Sequence, residues 1–266
     1  MNILESFVLG LTQGITEFIP VSSSGHLEII NRLFFERTPD FHLFLEFINF
    51  GTLLALIIYY RKTIWQLILD VFVNRKYKLF INLILTSIPA GLAGFFLADI
   101  IENLPFFSSI FTIACAMGIV GVLMFFADKL PHLSPLESRD ELSHGRAFLI
   151  GCSQVFALIP GTSRSGTTII AGRMVGLDSH DSADYSFLAS LPIMCGVCLK
   201  SLVSSTSRNY LMANFGMLLF SNAIALISGL IAIYFVMKFL KKPGALRAFG
   251  IYRIILALII LIVALI

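Results

Sequence analysis

Charge is what this chain has least of. Asp, Glu, Lys and Arg make up 13% of its 266 residues, about half the share of an ordinary soluble domain. That excludes a water-soluble globule. The net charge of +3 is too small for a nucleic-acid partner, which demands a broad basic face. Cysteine is nearly as scarce, at four. Cys195 and Cys198 have redox or metal spacing, but they sit in an apolar run with no acid or histidine beside them, so packing is the expectation. Lys and Arg are missing from the first residues, and Glu5 precedes the first apolar run, so no cleavable leader is expected.

Long apolar runs are what is there instead: 57% of the residues are hydrophobic. Runs near 43–60, 79–98, 106–127, 184–203, 214–238 and 249–266 approach the roughly 20 residues that cross a bilayer. The piece Thr63–Val73 is amphipathic and suits the membrane interface. Basic residues fix the orientation. The 61–78 connection carries Arg61, Lys62, Arg75, Lys76 and Lys78, and the 238–247 connection carries Lys238, Lys241, Lys242 and Arg247, so both are expected inside. The 99–105 connection, with Asp99 and Glu102 alone, is expected outside, as are residues 36–42. The 128–146 connection then falls inside by parity.

The same parity makes two further segments re-entrant. Residues 3–35 break at Pro20–Ser24 and enter from outside; residues 147–175 break at Pro160–Ser165 and enter from inside. Broken backbone at membrane depth is tolerated where it lines a polar cavity. The two segments also echo each other, Gly10-Leu-Thr-Gln13 against Gly151-Cys-Ser-Gln154, each followed by Ile-Pro and a Ser/Thr cluster. The fold class expected is therefore all-α integral membrane, with six transmembrane helices and two re-entrant helical hairpins in inverted-topology repeats. Residues 1–266 form one polytopic domain, repeat 1 near 1–127 and repeat 2 near 144–266.

Polar groups in such surroundings are costly and mark function. Gln13 and Glu17 share a helical face. They suit oxygen ligation of a divalent cation, a general base with a helper, or, for Gln13, plain interhelical hydrogen bonding. Ser22, Ser23, Ser24 and Gly25 open a helix after Pro20, where caps and free N–H groups favour an anion. His26 follows in the first turn, placed for acid, base or nucleophilic work. Arg164, among Ser163, Ser165 and Thr168, suits bidentate phosphate contact. Glu46 and Asn49 are candidates of second rank. His42, His132, His144 and His180 are expected in solvated connections, and Asp178, Asp181 and Asp184 at a helix start.

Gln13-Gly-Ile-Thr-Glu17 fits a (Glu or Gln)-x-x-x-Glu motif, and Pro160-Gly-Thr-Ser-Arg-Ser-Gly-Thr-Thr168 fits Pro-Gly-x-Ser-Arg-Ser-x-x-Thr. With Phe18–His26 as well, the chain resembles the bacterial undecaprenyl-diphosphate phosphatase (bacitracin-resistance) family over essentially its whole length. The resemblance implies hydrolysis of undecaprenyl diphosphate, which recycles the lipid carrier of cell-wall synthesis and gives bacitracin resistance. It also implies Mg²⁺ or Ca²⁺ dependence, homodimers, and a multi-pass protein of the bacterial inner membrane whose site opens toward the outer side. The substrate is a polyprenyl diphosphate lipid, met among membrane lipids. The family's site falls on Gln13, Glu17, Ser23, His26 and Arg164, with Ser22, Ser163, Ser165 and Thr168 beside them. Gln13 leaves one carboxylate fewer than a Glu would. The alternative reading is a lipid or small-anion transporter using the same site. The other membrane phosphatase class is excluded, because Ile170 stands where that class needs a second histidine.

Overall fold

The computed structural model describes residues 2–35, 40–129 and 132–265; the 36–39 part of the expected outer connection and residues 130–131 lie outside that description. Regular structure among the described residues is helical throughout. Helix α1 (Ile3–Phe18) starts at a capping box, the Asn2 side chain accepting from the Glu5 N–H at 2.8 Å and the Glu5 carboxylate accepting from the Asn2 N–H at 2.9 Å. It stops at Ile19, whose extended backbone precedes Pro20. Helix α2 (Ser23–Phe34) returns from that break.

Among the described residues, five helices are long and apolar enough to cross a membrane. They are α3 (Phe41–Tyr59), α5 (Lys78–Asn103), α10 (Ser179–Val203), α11 (Ser205–Phe239, kinked at Asn214) and α12 (Ala245–Leu265). The sixth expected run divides. Ser109 takes an extended conformation between a short α6 (Pro105–Ser108) and the 16-residue α7 (Ile110–Phe125), and its side chain caps the Phe111 N–H. Helix α4 (Arg61–Phe72) has no buried residue, as an interfacial helix would. Helices α8 (His144–Gln154) and α9 (Arg164–Met174) flank the second break.

The three connections expected inside lie at one end of the molecule. The Tyr60 hydroxyl donates to Asp184 at 2.8 Å, Arg139 pairs with the same carboxylate, and Lys78 donates to the Asp140 carbonyl at 2.5 Å. Arg247 covers the Phe125 ring at 4.4 Å. Asp184 is thus an ion-pair anchor rather than a helix-dipole acid. His144 is exposed, as expected, and its Nδ1 also meets Asn82 Oδ1 at 2.7 Å. The α8–α9 hairpin starts and finishes at this end, because Arg146 donates to the Val175 carbonyl at 3.0 Å.

The hairpins are embraced reciprocally: α1 packs on α11, and α8 packs on α5, while α7 pairs with α12. Small residues set these distances. A Cβ on Gly10 would lie 2.6 Å from the Ser221 carbonyl oxygen, and one on Gly151 would lie 2.6 Å from that of Thr86. Phe18, the last residue of α1, packs beside Gly229 of α11, about 15 Å short of the α11 terminus. Thr86 lies about 12 Å along α5 from Lys78.

Gly10→Ala and Gly151→Ala are expected to destabilise by about 1–3 kcal/mol through overpacking. Gly91→Ala, with open space around it, is expected to be neutral or stabilising by up to about 1 kcal/mol through helix propensity. Thermal unfolding in detergent reads the opposite signs.

Candidate active site

The two breaks are built alike. Ser22 and Ser163 are the N-caps of α2 and α9, at φ 78° and 74°, a region that L residues enter only under constraint. Each caps the N–H three residues on, Ser22 Oγ accepting from Gly25 at 3.3 Å and Ser163 Oγ from Gly166 at 3.1 Å. Each Oγ also meets the serine two residues on, Ser24 at 3.5 Å and Ser165 at 3.3 Å. The first N–H groups of both helices have no acceptor within the helix, so each elbow ends in a positive dipole.

Those two ends converge on one carboxylate. Ser23, first residue of α2, donates from Oγ to Glu17 Oε2 at 2.6 Å. Arg164, first residue of α9, donates from Nη2 to Glu17 Oε1 at 2.6 Å. Gln13 Nε2 adds a third donor to Oε2 at 3.1 Å, and reaches Asn49 Oδ1 at 3.1 Å. Glu17 and Arg164 side chains are 11% and 18% exposed, so the pair is shielded yet reachable. A carboxylate already sits where two helix N-termini and a guanidinium meet. The same donors suit phosphate oxygens.

His26 lies three residues beyond Ser23 on α2. Its Nδ1 donates to the Ser22 carbonyl at 2.7 Å, which leaves Nε2 to accept from the Tyr252 hydroxyl at 2.7 Å. The backbone contact fixes the tautomer, so Nε2 is the nitrogen that can take a proton. Tyr252 and Arg253 were not among the expected site residues.

Arg253 holds both elbows. It is fully buried and about 12 Å into α12. Its Nη1 donates to the Pro20 carbonyl at 3.1 Å, and its Nη2 to Gly161 at 2.8 Å and Thr162 at 3.0 Å. Its Nε donates to Met117 of α7 at 3.1 Å. Four carbonyls compensate one buried cation, and two of the segments they belong to are the breaks themselves. An arginine inside an apolar span was the available signal, since such a charge is expensive unless used.

The family model described as bacitracin resistance protein BacA matches residues 6–259. The chain belongs to this family. It is 36% identical over 256 residues to an undecaprenyl-diphosphatase of Methanococcus maripaludis, covering 94% of this chain and 95% of the relative. It is 35% identical over 264 residues to that of Persephonella marina, covering 98% of each. It is 32% identical over 266 residues to that of Halothermothrix orenii, covering 99% of each.

In this BacA-family chain the structure gathers Gln13, Glu17, Ser23 and Arg164 at one point, and sets Asn49 and Thr52 behind Gln13. Other candidates stand back. Thr168 Oγ1 is turned to Ser186 at 2.5 Å and is buried, so it supports the start of α9 instead of facing a ligand. Ser22 and Ser163 spend their hydroxyls as caps, and Gly25 packs against Met117. Ser165 Oγ meets the Ser163 hydroxyl at 3.3 Å and the Glu17 carbonyl at 3.5 Å. Ser24 is exposed. Glu46 accepts from Ser207 at 3.2 Å, away from Glu17. For a divalent cation the donors fit in kind: Glu17 offers hard oxygens, and a half-turn of the Gln13 amide presents Oε1 in place of Nε2.

Arg253→Met is expected to leave the elbow carbonyls unpaired and to cost at least about 3 kcal/mol. Arg253→Lys, with fewer donors, is expected to lose less. Thermal unfolding and limited proteolysis at Pro20 and Gly161 measure both.

Proposed function

We propose that this protein hydrolyses undecaprenyl diphosphate to undecaprenyl phosphate and inorganic phosphate. The observation that carries the reading is the meeting of two helix N-termini, through Ser23 and Arg164, on the single carboxylate of Glu17. The names of the relatives point to the same reaction.

Phosphoryl transfer asks mainly for positioning and charge neutralisation. Arg164 and the first N–H groups of α2 and α9 take the terminal phosphate. Ser23 attacks its phosphorus while Glu17, 2.6 Å away, accepts the hydroxyl proton. The bond to the bridging oxygen breaks, and the lipid monophosphate leaves. Water then cleaves the seryl phosphate and frees inorganic phosphate. His26, through Nε2, exchanges a proton one turn beyond Ser23, and Tyr252 orients that nitrogen. Glu17 and Gln13 would hold the divalent cation, which neutralises phosphate charge when bound.

The topology belongs to the same proposal. Six crossings with two re-entrant hairpins, related as inverted repeats, account for the reciprocal packing of α1 on α11 and α8 on α5. They also account for the matched serine caps. The site then lies near the midplane of the bacterial inner membrane and opens toward the outer side, with the recycled carrier serving cell-wall synthesis. Homodimerisation rests on the resemblance alone.

Ser23→Ala and Arg164→Ala are each expected to lower phosphate release from undecaprenyl diphosphate by about 10²-fold or more, with the fold intact by size exclusion. A quenched turnover is expected to trap an acid-stable phosphoserine at Ser23. An acid-labile label on His26 would instead make the imidazole the nucleophile, and purified protein that binds the lipid without releasing phosphate would make it a carrier.

A further inference from the structure

A cleft of about 590 Å³ runs between α7 and the α8–α9 hairpin, outside the site just described. Phe111, Phe156, Ile119, Ile170, Ala116 and Ala171 line it, and Phe111, Phe156 and Ile119 are exposed at its edge. Its volume is that of a ligand pocket. Three of the four hydroxyls along it are already spent, and the fourth belongs to Thr162, a buried residue. Thr112 donates to the Phe106 carbonyl at 2.5 Å, Ser153 to Ile150 at 2.7 Å, and Thr167 to Arg164 at 3.0 Å. What remains for an occupant is methyl groups and rings, so the cleft takes hydrocarbon and no headgroup.

Its position says which hydrocarbon. The cleft reaches the second elbow at Ile159 and Thr162, two residues before Arg164. Along α9 its lining residues Thr167, Ala171 and Met174 continue the helical face that Arg164 begins. The apolar surface thus leads up to the residue that holds the anion. A lipid with one long chain and a diphosphate head fits that continuity; a two-chain phospholipid would leave its second chain unhoused. On the reading proposed above, we infer that the α7–α9 cleft binds the polyprenyl chain of the substrate and sets the preference for long chains over short ones.

Ala116→Trp fills the cleft without touching Glu17, Ser23, His26 or Arg164. The expected result is a KM for undecaprenyl diphosphate raised about tenfold, with kcat unchanged and the KM for farnesyl diphosphate moved less than about twofold. Equal effects on both substrates, or none on either, would overturn the inference. A second measurement does not need turnover. A polyprenyl diphosphate carrying a benzophenone along its chain is expected to label the 106–123 or 153–174 peptides in Ser23→Ala, and excess undecaprenyl phosphate is expected to suppress the label. Labelling confined to other helices would remove the cleft as the chain site. Absence of phosphate release by the unmodified protein, with cleft labelling retained, would instead defeat the hydrolytic reading and leave the lipid site standing.

Discussion

Everything that meets at Glu17 depends on a guanidinium that never touches it. Arg253 ties Pro20 on one elbow to Gly161 and Thr162 on the other, and anchors both to α7 through Met117. The two breaks contribute no continuous helix of their own at that depth, so their carbonyls need a donor from elsewhere. One five-donor fork answers three of them, and a fourth on Met117 of α7. With the elbows so fixed, the two N-cap serines hold positive φ angles, and the first residues of α2 and α9 face each other across the carboxylate.

The electrostatics of the site follow from that closeness. Arg164 neutralises Glu17, so the shielded pair carries no net charge while the site waits. Desolvation of such a pair offsets much of its attraction, which makes it a poor source of stability. It is a good reservoir of donors. On the proposed function, an incoming phosphate would offer the Arg164 fork and the helix ends more oxygen than a carboxylate does, and would free Glu17 for other work.

Much of this was legible in the sequence, and the gaps have physical causes. Pro20 and Pro160, each followed by small hydroxyl residues in an apolar run, announce the breaks, because proline and N-cap chemistry are local properties. The pairing of Glu17 with Arg164 was legible only as a likeness between distant segments; no spacing rule brings residues 147 positions apart together. The sixth run was misjudged in continuity, because hydropathy does not register the extended backbone at Ser109. Thr168 matched a motif, yet packing turned its hydroxyl toward Ser186. Tyr252 and Arg253 were absorbed into the last apolar run. The length of that run hid them, although a lone arginine there was itself a signal. The cleft beside α9 is a matter of shape between helices, which no window of sequence contains.

The placement of the clasp has a consequence for how the molecule is made. Pro20 emerges long before Arg253 in synthesis, because the contact between them spans 233 positions. Until α12 arrives, both bends must wait in the membrane with their carbonyls unanswered or borrowed by water. A ribosome-bound fragment lacking the last helix would own every group that meets at Glu17, and still not hold them in place.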